Sequence, residues 1–84
     1  MATVEIYSKT TCPYCVRATG LFRAKGVVPT TYNLDLGGPQ RDEMIKRSGK
    51  MTVPQIFIDG RHVGGCDDLF VLEREGRLDS MLSA

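Results

Sequence analysis

Apolar residues recur along the chain with two different periods, and the switches between them mark its elements. Thr3-Val4-Glu5-Ile6-Tyr7-Ser8 sets Val4 and Ile6 on one side of an alternating run, the period of two expected of a strand. From Pro13 to about Lys25 the apolar residues return at helical spacing instead, and Gly26 supplies a C-terminal stop. Gly20 within that helix costs about 1 kcal/mol relative to alanine, which reads as an allowance for close packing on a sheet. Thr30 to Leu36 alternates Tyr32, Leu34 and Leu36 with polar residues, so a second strand with those three on one face is expected. Gly37-Gly38-Pro39 then opens a second helix that ends near Gly49.

Gln55-Ile56-Phe57-Ile58 reads as a third strand. The Asp59-Gly60 pair after it favours the positive φ of a tight hairpin into a fourth, Arg61-His62-Val63. A last helix starts near Asp67, buries Leu69, Leu72 and Phe70, and stops before Gly76; Leu78 to Leu82 fits one further turn. A strand, a helix and a strand in succession imply a right-handed crossover with parallel pairing, whereas the hairpin pairs its strands antiparallel. The expected architecture is α/β: a four-stranded mixed sheet, βαβ then ββα, flanked by three helices. At 84 residues the chain buries only about two thirds of its unfolded surface, so residues 1–84 are read as one domain.

Charge narrows the function. Lys and Arg total 11 against 10 Asp and Glu, and Arg41, Lys46, Arg47 and Lys50 are dispersed among acids. Such a face is solvated helix surface and gives a nucleic-acid backbone no basic patch to bind. No basic N-terminal segment precedes an apolar stretch, and every apolar run is far shorter than the roughly 20 residues of a membrane span. A soluble protein without a membrane partner is expected. Three cysteines leave one over after any pairing, so no structural disulfide framework is available and a reducing, cytoplasmic setting is the expectation.

Two of those cysteines carry the chemistry. Cys12-Pro13-Tyr14-Cys15 falls between the first strand and the first helix. Pro13 suits the first helical position, because its φ is already near the helical value and its missing donor would be unsatisfied there anyway. Cys12 then becomes the N-cap, with the amides of Tyr14 and Cys15 turned toward its sulfur. Those donors and the positive end of the helix dipole favour a thiolate, the nucleophile of disulfide exchange. Cys15, one turn along and nearer the core, stays more protonated. An exposed attacking thiolate beside a sheltered resolving thiol is a redox pair.

Three motifs in register make the chain resemble a family. Cys12-Pro13-Tyr14-Cys15, Thr52-Val53-Pro54-Gln55-Ile56-Phe57-Ile58 and Gly64-Gly65-Cys66-Asp67-Asp68 are similar to the motifs of dithiol glutaredoxins, above all the short bacterial type, over essentially the whole length. That resemblance implies the thioredoxin fold and a glutathione-dependent thiol–disulfide oxidoreductase with Cys12 and Cys15 as the redox-active pair. It further implies a glutathione site. Val53, between Thr52 and a cis Pro54, offers its backbone to the cysteinyl part of the tripeptide, and Lys9 faces the glycine carboxylate. Tyr14 covers the site with its ring, while the helix start at Cys66 and Asp67 takes the α-carboxylate and ammonium. On residues alone, Cys66 is a small buried hydrophobe and Asp67 a helix cap. Glutathione is expected as co-substrate, with no tightly bound cofactor. The partners implied are glutathionylated proteins and protein disulfides, ribonucleotide reductase among them at family level, acted on by a monomer.

Other functions compete. Cys12, Cys15, His62 and Cys66 form a zinc-type ligand set, but three extended residues between His62 and Cys66 span about 10 Å, too far for one tetrahedral ion; no metal is expected. A glutathione-ligated iron–sulfur carrier is the alternative function. The resemblance associates that role with a Gly-Phe pair between a cysteine and a serine, and Pro13-Tyr14 with Cys15 speaks against it. A binding domain without chemistry leaves no reason for both cysteines to accompany Lys9, Val53-Pro54 and Asp67.

Overall fold

The computed structural model describes residues 2–83. Strands β1 (Val4–Ser8), β2 (Thr30–Asn33), β3 (Gln55–Ile58) and β4 (Arg61–Gly64) form one sheet in the order β2-β1-β3-β4. β1 runs parallel to β2 and antiparallel to β3, and β3 runs antiparallel to β4. Helices α1 (Pro13–Ala24), α2 (Pro39–Ser48), α3 (Cys66–Arg74) and α4 (Leu78–Leu82) complete the chain. The expected βαβ and ββα units are both present. The further turn at Leu78 is a short fourth helix, where three flanking helices were expected; it inserts Leu78 and Leu82 into the core.

Alternation along the strands divides the interior in two. Val4 and Ile6 of β1 join Ile56 and Ile58 of β3 on one face, which Ala18 and Phe22 of α1, Leu69 of α3, Leu78 and Leu82 cover. Tyr7 and Phe57, one residue out of phase, meet Leu34 and Met44 of α2 on the other. Full burial of each large side chain, Phe22 or Ile6 for example, stabilises the fold by about 1.5–3 kcal/mol. α1 buries Cys15, Ala18 and Phe22, the spacing of one helical stripe. The stripe that closes the core therefore also carries Cys15 into it.

Two expectations fail for identifiable reasons. The second strand stops at Asn33, and Leu36 is 99% exposed. The Asn33 side chain accepts from the Asp35 amide at 2.8 Å, and the Gly37 amide bonds Leu34 O at 2.9 Å. This side-chain turn bends the chain away before Leu36 can reach the sheet. Gly20 is exposed, and a Cβ built there would meet nothing within 4 Å, so it does not serve close packing.

The hairpin behaves as its sequence demands. Asp59 and Gly60 have φ of 51° and 79°, the twist of a two-residue turn that pairs Ile58 with Arg61 and Phe57 with His62. Among the described residues no helix is long and apolar enough to cross a membrane.

Candidate active site

Cys12 is the N-cap of α1, with φ −91° and ψ 111°, and Pro13 follows as the first helical residue. Of the two amides expected to face its sulfur, that of Cys15 makes the hydrogen bond, at 3.4 Å. The Cys12 thiol in turn donates to the Val53 carbonyl at 3.8 Å. Cys12 is partly exposed, whereas Cys15 is only 1% exposed. Burial pushes the Cys15 thiol up to about 11. The adjacent Cys12 adds to that, and hydrogen bonds from the Lys9 backbone and the Ser8 hydroxyl oppose it. The two sulfurs thus differ in access to solvent, and Cys15 is held protonated at neutral pH.

A groove of about 430 Å³ is lined in part by Val53, whose carbonyl faces the Cys12 sulfur. Tyr14 forms one wall, Thr52, Val53 and Pro54 another, and Gly64 through Asp68 its far end. The Val53–Pro54 peptide is cis, as the resemblance implies. Six expected site residues, Tyr14, Thr52, Val53, Pro54, Cys66 and Asp67, therefore share one surface. Cys12 and Cys15 do not line it, and neither does Lys9. Lys9 borders a separate depression of about 360 Å³ together with Ser8, Thr10, Cys15 and Arg23.

The far end of the groove is shaped by backbone. Gly64 has φ +120°, and a side chain there would run into the Asp68 carboxylate, so glycine is required. That carboxylate accepts from the Gly65 amide at 2.9 Å. α3 begins at Cys66, with Gly65 as N-cap. Asp68, three residues on, therefore makes the capping contact expected of Asp67. Asp67 is left exposed in the first turn, beside the positive end of the helix. Cys66 is buried, and that burial raises its thiol pKa while the charge of Arg17 lowers it.

Lys50, Gln55, His62 and Asp68 also line the groove and were not anticipated. Asp68 was legible as the third residue after Gly65. His62 was legible from the hairpin, since a two-residue turn after Ile58 must set position 62 opposite Phe57. Gln55 escaped notice because it opens an otherwise apolar strand, yet it is 4% exposed and bonds both Thr52 and His62. Among the described residues no three His, Cys, Asp or Glu side chains are grouped to hold a metal ion. His62 Nε2, counted above as a possible zinc ligand, meets Gln55 Oε1 at 2.7 Å.

Comparison with known proteins follows the same lines. The family model described as Glutaredoxin matches residues 4–63. Glutaredoxin 3 of Escherichia coli K12 is 57% identical over 82 residues, covering 98% of this chain and 99% of that protein. A glutaredoxin of Pseudomonas aeruginosa is 51% identical over 85 residues, with both chains covered completely. Among solved structures, a buckwheat glutaredoxin–glutathione complex superposes with TM-score 0.88 at 35% identity, covering 98% of this chain and 77% of that one. The solution structure of a Brucella melitensis glutaredoxin gives TM-score 0.83 at 50% identity, covering 98% and 89%.

Proposed function

The chain belongs to the glutaredoxin family and is a thiol–disulfide oxidoreductase, and we propose that glutathione is its reductant, with Cys12 the nucleophile and Cys15 the resolving thiol. In this reading the Cys12 thiolate attacks the glutathione sulfur of a mixed disulfide. A Cys12–glutathione bond forms, the old disulfide breaks, and the substrate leaves as a thiol after taking a proton. A second glutathione thiolate attacks the glutathione sulfur held on Cys12, releases oxidised glutathione and regenerates the thiolate. A protein disulfide follows a longer route. Cys12 forms the mixed disulfide, Cys15 loses its proton and attacks Cys12, and the Cys12–Cys15 bond is then reduced by two glutathiones.

The observation that carries this reading is the position of the Cys12 sulfur, between the Cys15 amide and the carbonyl of Val53, a residue that lines the groove. A tripeptide joined to that sulfur would lie along Val53 and direct its γ-glutamyl end to the start of α3. There the free amides suit a carboxylate and Asp67 suits an ammonium. Cys66 contributes backbone and packing. Lys9, on its own loop beside the pair, adds positive potential near the sulfur. The reading extends to a monomeric, cytoplasmic single-domain protein whose partners are glutathionylated proteins and protein disulfides.

The test is a glutathione-coupled assay on a small mixed disulfide. Wild type should show saturable dependence on glutathione and Cys12→Ser no activity. Residual turnover in Cys12→Ser, or equal rates with a thiol unrelated to glutathione, would defeat the reading.

A further inference from the structure

Thr52 and Val53 sit in a loop, yet one of them must hold a carbonyl 3.8 Å from the reactive sulfur. What fixes this loop is a relay of side chains. Gln55 Nε2 donates to Thr52 O at 3.0 Å and to Thr52 Oγ1 at 3.3 Å. With both amide protons engaged on Thr52, the carbonyl oxygen of Gln55 is left as an acceptor. His62 Nε2 lies 2.7 Å from it and is therefore the protonated, donating nitrogen. The His62 ring also rests against Phe57, with centroids 5.0 Å apart. Phe57 carries the guanidinium of Arg47 at 3.9 Å, and Arg47 is clamped by Glu5 at 3.1 and 3.2 Å. A chain of contacts thus runs from an ion pair between α2 and β1 through Phe57 and His62 to Gln55 and Thr52.

No other side-chain hydrogen bond reaches Thr52 among the described residues, and His62 is the partner that orients the buried Gln55 amide. We propose that His62 is a positioning residue for glutathione, holding Thr52 and Val53 in their binding geometry through Gln55. The proposal rests on the glutathione reading above and adds to it a residue that does not touch the reacting sulfur. When the His62 donor is lost, Gln55 is free to turn and the Val53 edge must be ordered by the ligand itself. That cost falls on binding and not on the sulfur chemistry.

His62→Phe keeps an aromatic ring against Phe57 and removes the donor, and His62→Gln restores a donor at similar reach. The KM for glutathione should rise about fivefold in His62→Phe, as loss of one neutral hydrogen bond gives, with kcat unchanged, and His62→Gln should recover most of it. In glutathione-free protein, hydrogen exchange at the Gln55 side-chain amide should quicken in His62→Phe and slow again in His62→Gln. A KM within twofold of wild type in His62→Phe, or equal impairment in the two variants, would overturn the proposal. Unchanged Gln55 exchange would overturn the positioning step whatever the substrate. A wild-type rate that does not depend on glutathione would overturn the parent reading, and the role of His62 toward glutathione with it.

Discussion

The amide of Cys15 points at the sulfur of Cys12 across 3.4 Å, so the residue that keeps its own thiol buried also gives its neighbour's sulfur a hydrogen bond. One turn of helix produces both effects. The N-cap sulfur accepts from the Cys15 amide, and the side chain of that same residue, three positions on, is turned into the core.

If Cys12 attacks and Cys15 resolves, as proposed, two activities should separate. Cys12→Ser should abolish reduction of glutathione mixed disulfides and of protein disulfides alike. Cys15→Ser should keep the first and slow the second by at least roughly tenfold, because an intermolecular attack must replace an intramolecular one. Parallel assays on the two substrates check this, and equal losses in both variants would contradict the assigned roles.

Burial of Cys15 also makes stability depend on pH. Its folded pKa, about 11, lies above the ordinary value of 9.0, so between these values the folded state holds a proton that the unfolded chain has released. The stabilisation from a neutral Cys15 is complete below pH 9 and declines as pH rises toward 11, by on the order of 2 kcal/mol. Urea midpoints under reducing conditions should fall more steeply from pH 9 to 11 in wild type than in Cys15→Ser. Matching slopes would show that Cys15 is not the titrating group.

Neighbouring aspartates at the start of α3 should respond differently. Asp68→Ala removes the contact to the Gly65 amide and should cost about 1 kcal/mol of stability. Asp67→Ala should leave the melting temperature nearly unchanged and raise the KM for glutathione. Thermal melts and glutathione titrations of the two variants read the difference directly, and a reversed pattern would exchange their roles.

Gly20 tests the interior of α1. Nothing lies within 4 Å of a Cβ placed there, so Gly20→Ala should stabilise the protein by about 0.5–1 kcal/mol through helix propensity and a less flexible unfolded chain. A lower denaturation midpoint would mean that this glycine has a structural duty that open space does not reveal.

Much of the fold was legible because local rules and tertiary packing agreed. Val4 and Ile6 alternate and are buried, Pro13 opens α1 behind a cysteine cap, and Asp59-Gly60 makes the turn that its positive φ values require. Leu36 misled because alternation counts apolar residues and takes no account of side chains that bend the backbone. Asn33 makes such a bend, and the strand ends three residues early. Asp67 is the cap only if α3 starts after it; the N-cap is Gly65, two residues earlier and without a side chain, so the capping contact comes from Asp68 at the third helical position.

By itself the amino-acid order determined the element sequence, the placing of Cys12 and Cys15 at the start of α1 and the unequal burial of their two sulfurs, since each follows from contacts within a few residues. Only the tertiary structure decided which residues face the groove. It set Lys9 beside Cys15 in a neighbouring depression, brought Lys50 to the groove, and joined His62 to Thr52 through Gln55. Those placements depend on how a hairpin, a loop and a helix end converge, and hydrogen bonds across such junctions leave no periodic signal along the chain.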